Sequence, residues 1–197
     1  RQLLQWGLTP AQAVHIPHFI EPGWDEGLPA GARQAERRRW GLTDADFAVG
    51  FFGRASPEKG LDVLMAAFER AVAEEPRCRL IIAGDALALP APGIAGRVVS
   101  LGFLEDVRPA LLACDLVAVP SRREAFGLVA LEALALGRPA LASRVDGLPE
   151  IVRSGASGWL APAGDVAAWA AALVEIAHDE PERRRRGADG RADVTAR

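Results

Sequence analysis

Apolar residues along this chain come in two kinds of run. Short unbroken stretches occur at about Phe47–Phe52, Leu80–Ala83, Val98–Ser100, Leu116–Val119, Ala140–Ser143 and, briefly, Gly158–Leu160. Runs this short and this continuously apolar, bounded by Gly, Pro or Ser, predict strands buried on both faces. Between them lie segments with apolar positions at helical spacing, at about Ala32–Trp40, Leu61–Glu75, Val107–Ala113, Phe126–Leu136, Leu148–Arg153 and Val166–Ala177. Regular alternation of the two predicts an α/β fold, a Rossmann-like doubly wound parallel sheet with helices on both faces, spanning residues 32–178. Residues 1–31 break the rhythm. Pro10, Pro17, Pro22 and Pro29 with several glycines predict an inter-domain linker, with a short strand at Val14–Ile16. Residues 179–197 are a charged C-terminal tail. Its run Glu180-Pro181-Glu182-Arg183-Arg184-Arg185-Arg186 reads as a solvated helix face, with a lipid or partner contact as the lesser reading.

Composition narrows the classes. With 197 residues, half of them hydrophobic, the chain can bury a substantial core as one domain with terminal extensions. A formal net charge of −3 offers no footprint for a polyanion and argues against nucleic-acid binding. Cys78 and Cys114 lack metal spacing and fit buried thiols of a reducing cytosol better than a disulfide. His15 and His18 fall in a Pro-rich loop and, with His178, make no convincing metal arrangement, so no metal is expected. No apolar run approaches membrane-spanning length and nothing at the N-terminus resembles a signal peptide. The expected location is cytoplasmic, with no transmembrane segment and peripheral membrane contact left open. The chain starts at Arg1 and its only Met is Met65, so it is expected to be a fragment of a longer protein. Trp40 and Trp169 sit on helical patterns and are expected in the core.

Chemistry concentrates in two loops. Pro120-Ser121-Arg122-Arg123-Glu124-Ala125-Phe126-Gly127-Leu128 leads into a helix that carries Glu132, eight positions beyond Glu124. On a helix opening near Phe126, Glu132 lies between one and two turns from the N-terminus, within reach of a ligand resting on the free backbone N–H groups there. That suits a sugar nucleotide, with phosphates on the amides and a carboxylate accepting from two adjacent hydroxyls. The plainer reading is an amphipathic helix with two surface glutamates. Against it, the strand Leu116–Val119 puts Glu124 and Phe126–Leu128 at the carboxyl end of a parallel sheet, where open α/β folds bind ligands. The second loop is Gly53-Arg54-Ala55-Ser56-Pro57-Glu58-Lys59-Gly60. It holds the only Lys in a chain with 22 Arg. An ammonium on a flexible stem is a good point-charge partner for a phosphate, and Arg54 and Lys59 also fall at a carboxyl strand end.

These segments, in order, resemble the C-terminal half of retaining glycosyltransferases of family 4, from about Phe47 to Ala177. The resemblance rests on Gly53-Arg54 with Glu58-Lys59-Gly60-Leu61-Asp62, on Ala83-Gly84-Asp85, on Leu101-Gly102-Phe103-Leu104, and on Pro120-Ser121 through Glu124-Ala125-Phe126-Gly127 to Glu132-Ala133. It continues in Gly137-Arg138-Pro139, Asp146-Gly147-Leu148-Pro149-Glu150-Ile151-Val152, Gly155 and Gly158. Each motif alone is weak; the ordered set is specific. The resemblance implies one half of a GT-B enzyme, in which two Rossmann-like domains face each other across a cleft, and a sugar-nucleotide donor with UDP, GDP or ADP as the carrier.

Carried over residue by residue, the resemblance makes Arg54 and Lys59 partners of the donor diphosphate. Glu132 holds the ribose, and Glu124 with the backbone of Ala125, Phe126, Gly127 and Leu128 meets the transferred sugar and its distal phosphate. Phe103 and Leu104 border the base, and Gly53 and Gly84 belong to the donor-binding loops. Arg54, Lys59 and Glu124 are the expected catalytic set. Cations plus helix-end amides can stabilise a leaving diphosphate without metal or other cofactor. The resemblance also implies an acceptor-binding domain preceding this one, so the chain by itself is expected to bind donor and turn over poorly. Ile16-Pro17-His18-Phe19-Ile20 stands where many relatives have Asn-Gly after the Pro, and no donor contact is assigned there. Two other classes are weighed: a sugar-nucleotide epimerase of the same architecture, and a non-catalytic Rossmann-type module. For a dinucleotide module, Gly50-Phe51-Phe52-Gly53-Arg54 lacks the spacing of a G-x-G-x-x-G turn.

Overall fold

The computed structural model describes residues 7, 9, 12, 19–85 and 92–196. Six strands, β1 (Phe47–Phe52), β2 (Cys78–Ala83), β3 (Val98–Gly102), β4 (Leu116–Val119), β5 (Ala140–Ser143) and β6 (Gly158–Ala161), form one sheet in the order β3-β2-β1-β4-β5-β6. Every pairing is parallel. Among the described residues the α-helices are α1 (Ala32–Arg39), α2 (Leu61–Glu74), α3 (Arg108–Ala113), α4 (Leu128–Ala135), α5 (Leu148–Ile151), α6 (Val166–His178) and α7 (Glu180–Thr195).

Both faces of the sheet are covered, which is why its central strands read as unbroken apolar runs. Successive side chains of β1 go to opposite sides. Phe47, Val49 and Phe51 join the core under α2 and α6 with Leu64, Phe68 and Trp169, whereas Ala48 and Phe52 join the core under α3 and α4 with Leu111, Leu131 and Leu134. Trp169 is fully buried and donates its Nε1–H to Pro162 O at 3.1 Å. Trp40 packs partly buried against the second core. Cys78 and Cys114 are free, buried thiols whose pKa burial pushes up to about 12, so neither is a nucleophile near neutral pH.

At the amino ends of the strands, Asp115 receives Arg33, Arg37 and the Ala48 N–H. Arg33 also donates to the carbonyls of Leu112, Ala113 and Cys114, so two cations of α1 close the negative end of α3. The described part of the expected linker lies on this domain. Ile20, Trp24 and Leu28 pack against the second core, and Arg108 donates to Trp24 O at 3.0 Å. Val14–Ile16, His15 and His18 lie outside the described residues. The charge run is helix α7, capped by Asp179, which accepts from the Glu182 N–H. One side buries Gly187, Gly190 and Val194; the arginines lie along the others, Arg186 over the Trp159 ring and Arg185 against Glu182. Among the described residues no helix is long and apolar enough to cross a membrane.

Candidate functional site

β1 and β4 are neighbours in the sheet, yet the chain leaves β1 towards β2 and leaves β4 towards β5. The two loops therefore part at their carboxyl ends and open a crevice at the topological switch point. A pocket of about 160 Å³ lies there, lined by Phe52, Lys59, Pro120, Ser121, Glu124, Phe126, Leu128 and others. Five of the sequence-predicted residues meet on its wall, Lys59, Glu124, Phe126, Gly127 and Leu128; Ala125 lies between two of them in the chain but does not line the pocket.

The β1–α2 loop reaches the pocket through a single tight turn, Pro57–Lys59, that delivers Lys59 just before α2. Gly60 opens α2 with a left-handed φ of 69°, and a Cβ there would lie 2.1 Å from Pro120 O. Only glycine lets the two loops touch backbone to backbone at this point. Arg122 fastens them further. Its N–H donates to Glu58 O at 2.7 Å, and its guanidinium grips Asp62 through both oxygens, at 2.8 and 2.6 Å. That fork holds the Asp62 carboxyl below its ordinary pKa, the hydrogen bond from Arg122 being the main cause.

Lys59 and Glu124 form an ion pair, Nζ to Oε2 at 2.6 Å, and the same oxygen accepts from the Ser121 hydroxyl at 3.1 Å. Ser121 is buried and the Glu124 side chain only 12% exposed, so the carboxylate has a fixed seat. After Glu124, Gly127 turns the chain at φ 79° into α4. The helix therefore begins at Leu128 and not near Phe126, which stays half exposed. Among the described residues no side chain caps α4. Its opening N–H groups, at Leu128 and Val129, have no acceptor among the described residues and stand at the pocket wall.

Glu132 falls in the second turn of α4, partly buried and with no side-chain partner among the described residues. Burial raises its carboxyl pKa above the ordinary value. Arg54 is exposed in the loop after β1, and Gly53 and Gly84 continue the ladder past the strand ends, Gly53 N to Ala83 O and Gly84 N to Gly102 O. Phe103 is 80% exposed beyond β3 and Leu104 partly buried. These residues share the carboxyl edge of the sheet but do not line the pocket. Sequence reasoning assigned no role to Ser121, to the Arg122–Asp62 pair or to Asp146, whose Oδ2 accepts the Glu124 N–H at 2.9 Å. In the sequence Asp146-Gly147 stood only as part of a motif of the resemblance, and nothing there marked a contact with a loop 22 positions earlier.

A lysine cation, an uncapped helix N-terminus and a seated carboxylate in one crevice can take a diphosphate joined to a hydroxyl-bearing group. Sheet order and site together define a Rossmann-like domain of the kind that forms half of a GT-B fold. Residues 46–179 match the family "Glycosyl transferases group 1", and the chain belongs to that family, as a C-terminal GT-B domain. It is 39% identical over 206 residues to the D-inositol 3-phosphate glycosyltransferase of Segniliparus rotundus, covering 98% of this chain and 44% of that protein. Among solved structures, Anabaena HepE in complex with UDP superposes with a TM-score of 0.87 at 27% identity, over 98% of this chain and 56% of that one. The same protein in complex with UDP-glucose gives 0.85 at 27% identity, over 98% and 56%. The chain thus spans about half the length of the relatives it matches.

Proposed function

We propose that this chain is the donor-binding domain of a glycosyltransferase that moves a sugar, of hexose type, from a nucleoside diphosphate to an acceptor hydroxyl with retention at the anomeric carbon. The observation that carries the reading is the meeting of Lys59, Glu124 and the uncapped start of α4 at the switch point. As the bond from the anomeric carbon to the distal phosphate breaks, negative charge gathers on that phosphate. Lys59, Arg54 and the α4 amides stabilise it without a metal. A phosphate oxygen takes the proton of the attacking acceptor hydroxyl, so no protein nucleophile is required. Glu124 accepts hydrogen bonds from the sugar, Glu132 from the ribose diol, and the backbone near Phe103 and Leu104 borders the base.

UDP is the first donor nucleotide to try, because HepE is solved with UDP and UDP-glucose. A phosphorylated inositol is the first acceptor to offer the longer protein, following the name of the Segniliparus relative. Acceptor recognition belongs to a domain outside this chain, and the reading includes a cytoplasmic location. Calorimetric titration with UDP, GDP, ADP and NAD, repeated on Lys59→Ala, tests it. The expected result is saturable binding of one nucleoside diphosphate, weakened about tenfold or more by loss of one charge-assisted hydrogen bond. Binding of NAD alone overturns it.

A further inference from the structure

The geometry points to Asp146 as a positioning residue for Glu124, an inference that rests on the donor-site reading above. Asp146 lies in the loop between β5 and α5. Among the described residues it is the only non-glycine with positive φ, at 45°. Left-handed backbone strains any residue with a Cβ, though Asp tolerates it better than most. Its Oδ2 accepts the Glu124 N–H at 2.9 Å, and the Gly147 N–H approaches Glu124 O at 3.4 Å. A Cβ on Gly147 would stand 2.8 Å from Ala125 O, so the 146–147 backbone lies directly against 124–125.

Glu124 is therefore held from two sides. Lys59 and Ser121 seat its carboxylate, while Asp146 anchors its amide from the far loop. Glycine at 146 would adopt the same backbone without strain, and without a negative charge beside a crevice built for a diphosphate. Aspartate is the worse choice on both counts. What its carboxylate contributes, and glycine could not, is the bond to the Glu124 amide. That bond sets the direction in which the Glu124 side chain leaves the backbone, and so whether its carboxylate reaches the sugar of the donor.

Two substitutions separate acceptor from backbone. Asp146→Asn keeps both an acceptor oxygen and tolerance of positive φ; Asp146→Gly keeps only the backbone. Each is compared with the wild-type chain by calorimetric titration with UDP and UDP-glucose, or the matching GDP or ADP pair if that base is the one bound. Amide hydrogen exchange at Glu124 is read by NMR without ligand. Asp146→Gly is expected to lower the affinity for the sugar nucleotide relative to the bare diphosphate about tenfold, and to speed exchange at the Glu124 amide by at least as much. Asp146→Asn should stay within about threefold of wild type on both readouts, since a neutral acceptor replaces a charged one. A merely structural role would lower thermal stability in Asp146→Gly and leave the ratio of the two affinities unchanged, which would overturn the inference. So would an Asp146→Asn variant as impaired as Asp146→Gly, because charge and not position would then be at work. A wild-type chain that binds none of these nucleotides overturns the donor-site reading itself, whereas wild-type binding indifferent to Asp146→Gly overturns only the role of Asp146.

Discussion

Glu124→Gln is expected to bind a bare nucleoside diphosphate more tightly than the wild-type chain, although Glu124 belongs to the donor site. The reason is the ion pair. Lys59 lies 2.6 Å from Glu124 and must leave it, wholly or in part, to reach a phosphate. With side chains 32% and 12% exposed, the pair belongs near the upper end of partly exposed ion pairs, about 1 kcal/mol. A carboxylate beside a diphosphate adds screened repulsion of up to about 1 kcal/mol. Neutralising Glu124 removes both, which corresponds to binding about 5- to 30-fold tighter for the bare diphosphate. The sugar nucleotide should gain much less, because the sugar loses its charged acceptor. Calorimetric titration of both ligands at about 50 mM and about 0.5 M salt is the assay, and the gain should shrink at the higher concentration. Unchanged or weaker diphosphate binding by a folded Glu124→Gln chain would refute the competition argument.

Glu132→Gln should weaken nucleotide binding yet raise Tm at neutral pH by a few degrees. Burial raises the native-state pKa of Glu132, so native protein holds that proton more tightly than unfolded chain, and stability falls as pH rises through the window above the ordinary glutamate value. The advantage of Gln should therefore grow as pH rises above the ordinary glutamate value, read by scanning calorimetry. Glu75 has the opposite sign. Its hydrogen bond from Arg77 holds its pKa down to about 2 from 4.5, so the stability it contributes is present above about pH 4.5 and lost as pH falls towards about 2. Arg77 is half exposed, which discounts the loss to about 1–2 kcal/mol, and urea midpoints of Glu75→Gln should show a correspondingly flatter acid limb. Gly60→Ala should destabilise by about 3 kcal/mol or more and abolish diphosphate binding at the same time, since its new Cβ would force the Lys59 loop off Pro120. A Gly60→Ala chain with a wild-type urea midpoint would show that the loops do not touch.

Most of the fold was legible because its signals are local. Strands buried along their whole length, such as β1, β4 and β5, read as short unbroken runs, the partly exposed β3 kept enough of the same pattern, and helical spacing between the runs implied parallel crossovers. The boundaries that shifted did so for local reasons as well: the left-handed turn at Gly127 delays α4 to Leu128, leaving Phe126 outside. The charge run could be read as helix, but the burial of Gly187, Gly190 and Val194 on its other side could not, because small residues carry no periodic hydrophobic signal.

The sequence by itself determined the layered architecture, the two strand-end loops that carry chemistry, and which residue types wait there: a lone lysine, two glutamates and a glycine-led helix start. Tertiary structure alone decided how they meet. Lys59 and Glu124 are 65 positions apart and Asp146 lies 22 beyond Glu124, so nothing in local pattern links them. The order of β1 and β4 in the sheet brings their loops together, and a hydrogen bond requires atoms within about 3 Å in the right direction. Hydrophobic pattern is read along the chain, one residue after another; the geometry of a site is a relation among loops whose separation is set only when the sheet closes between them.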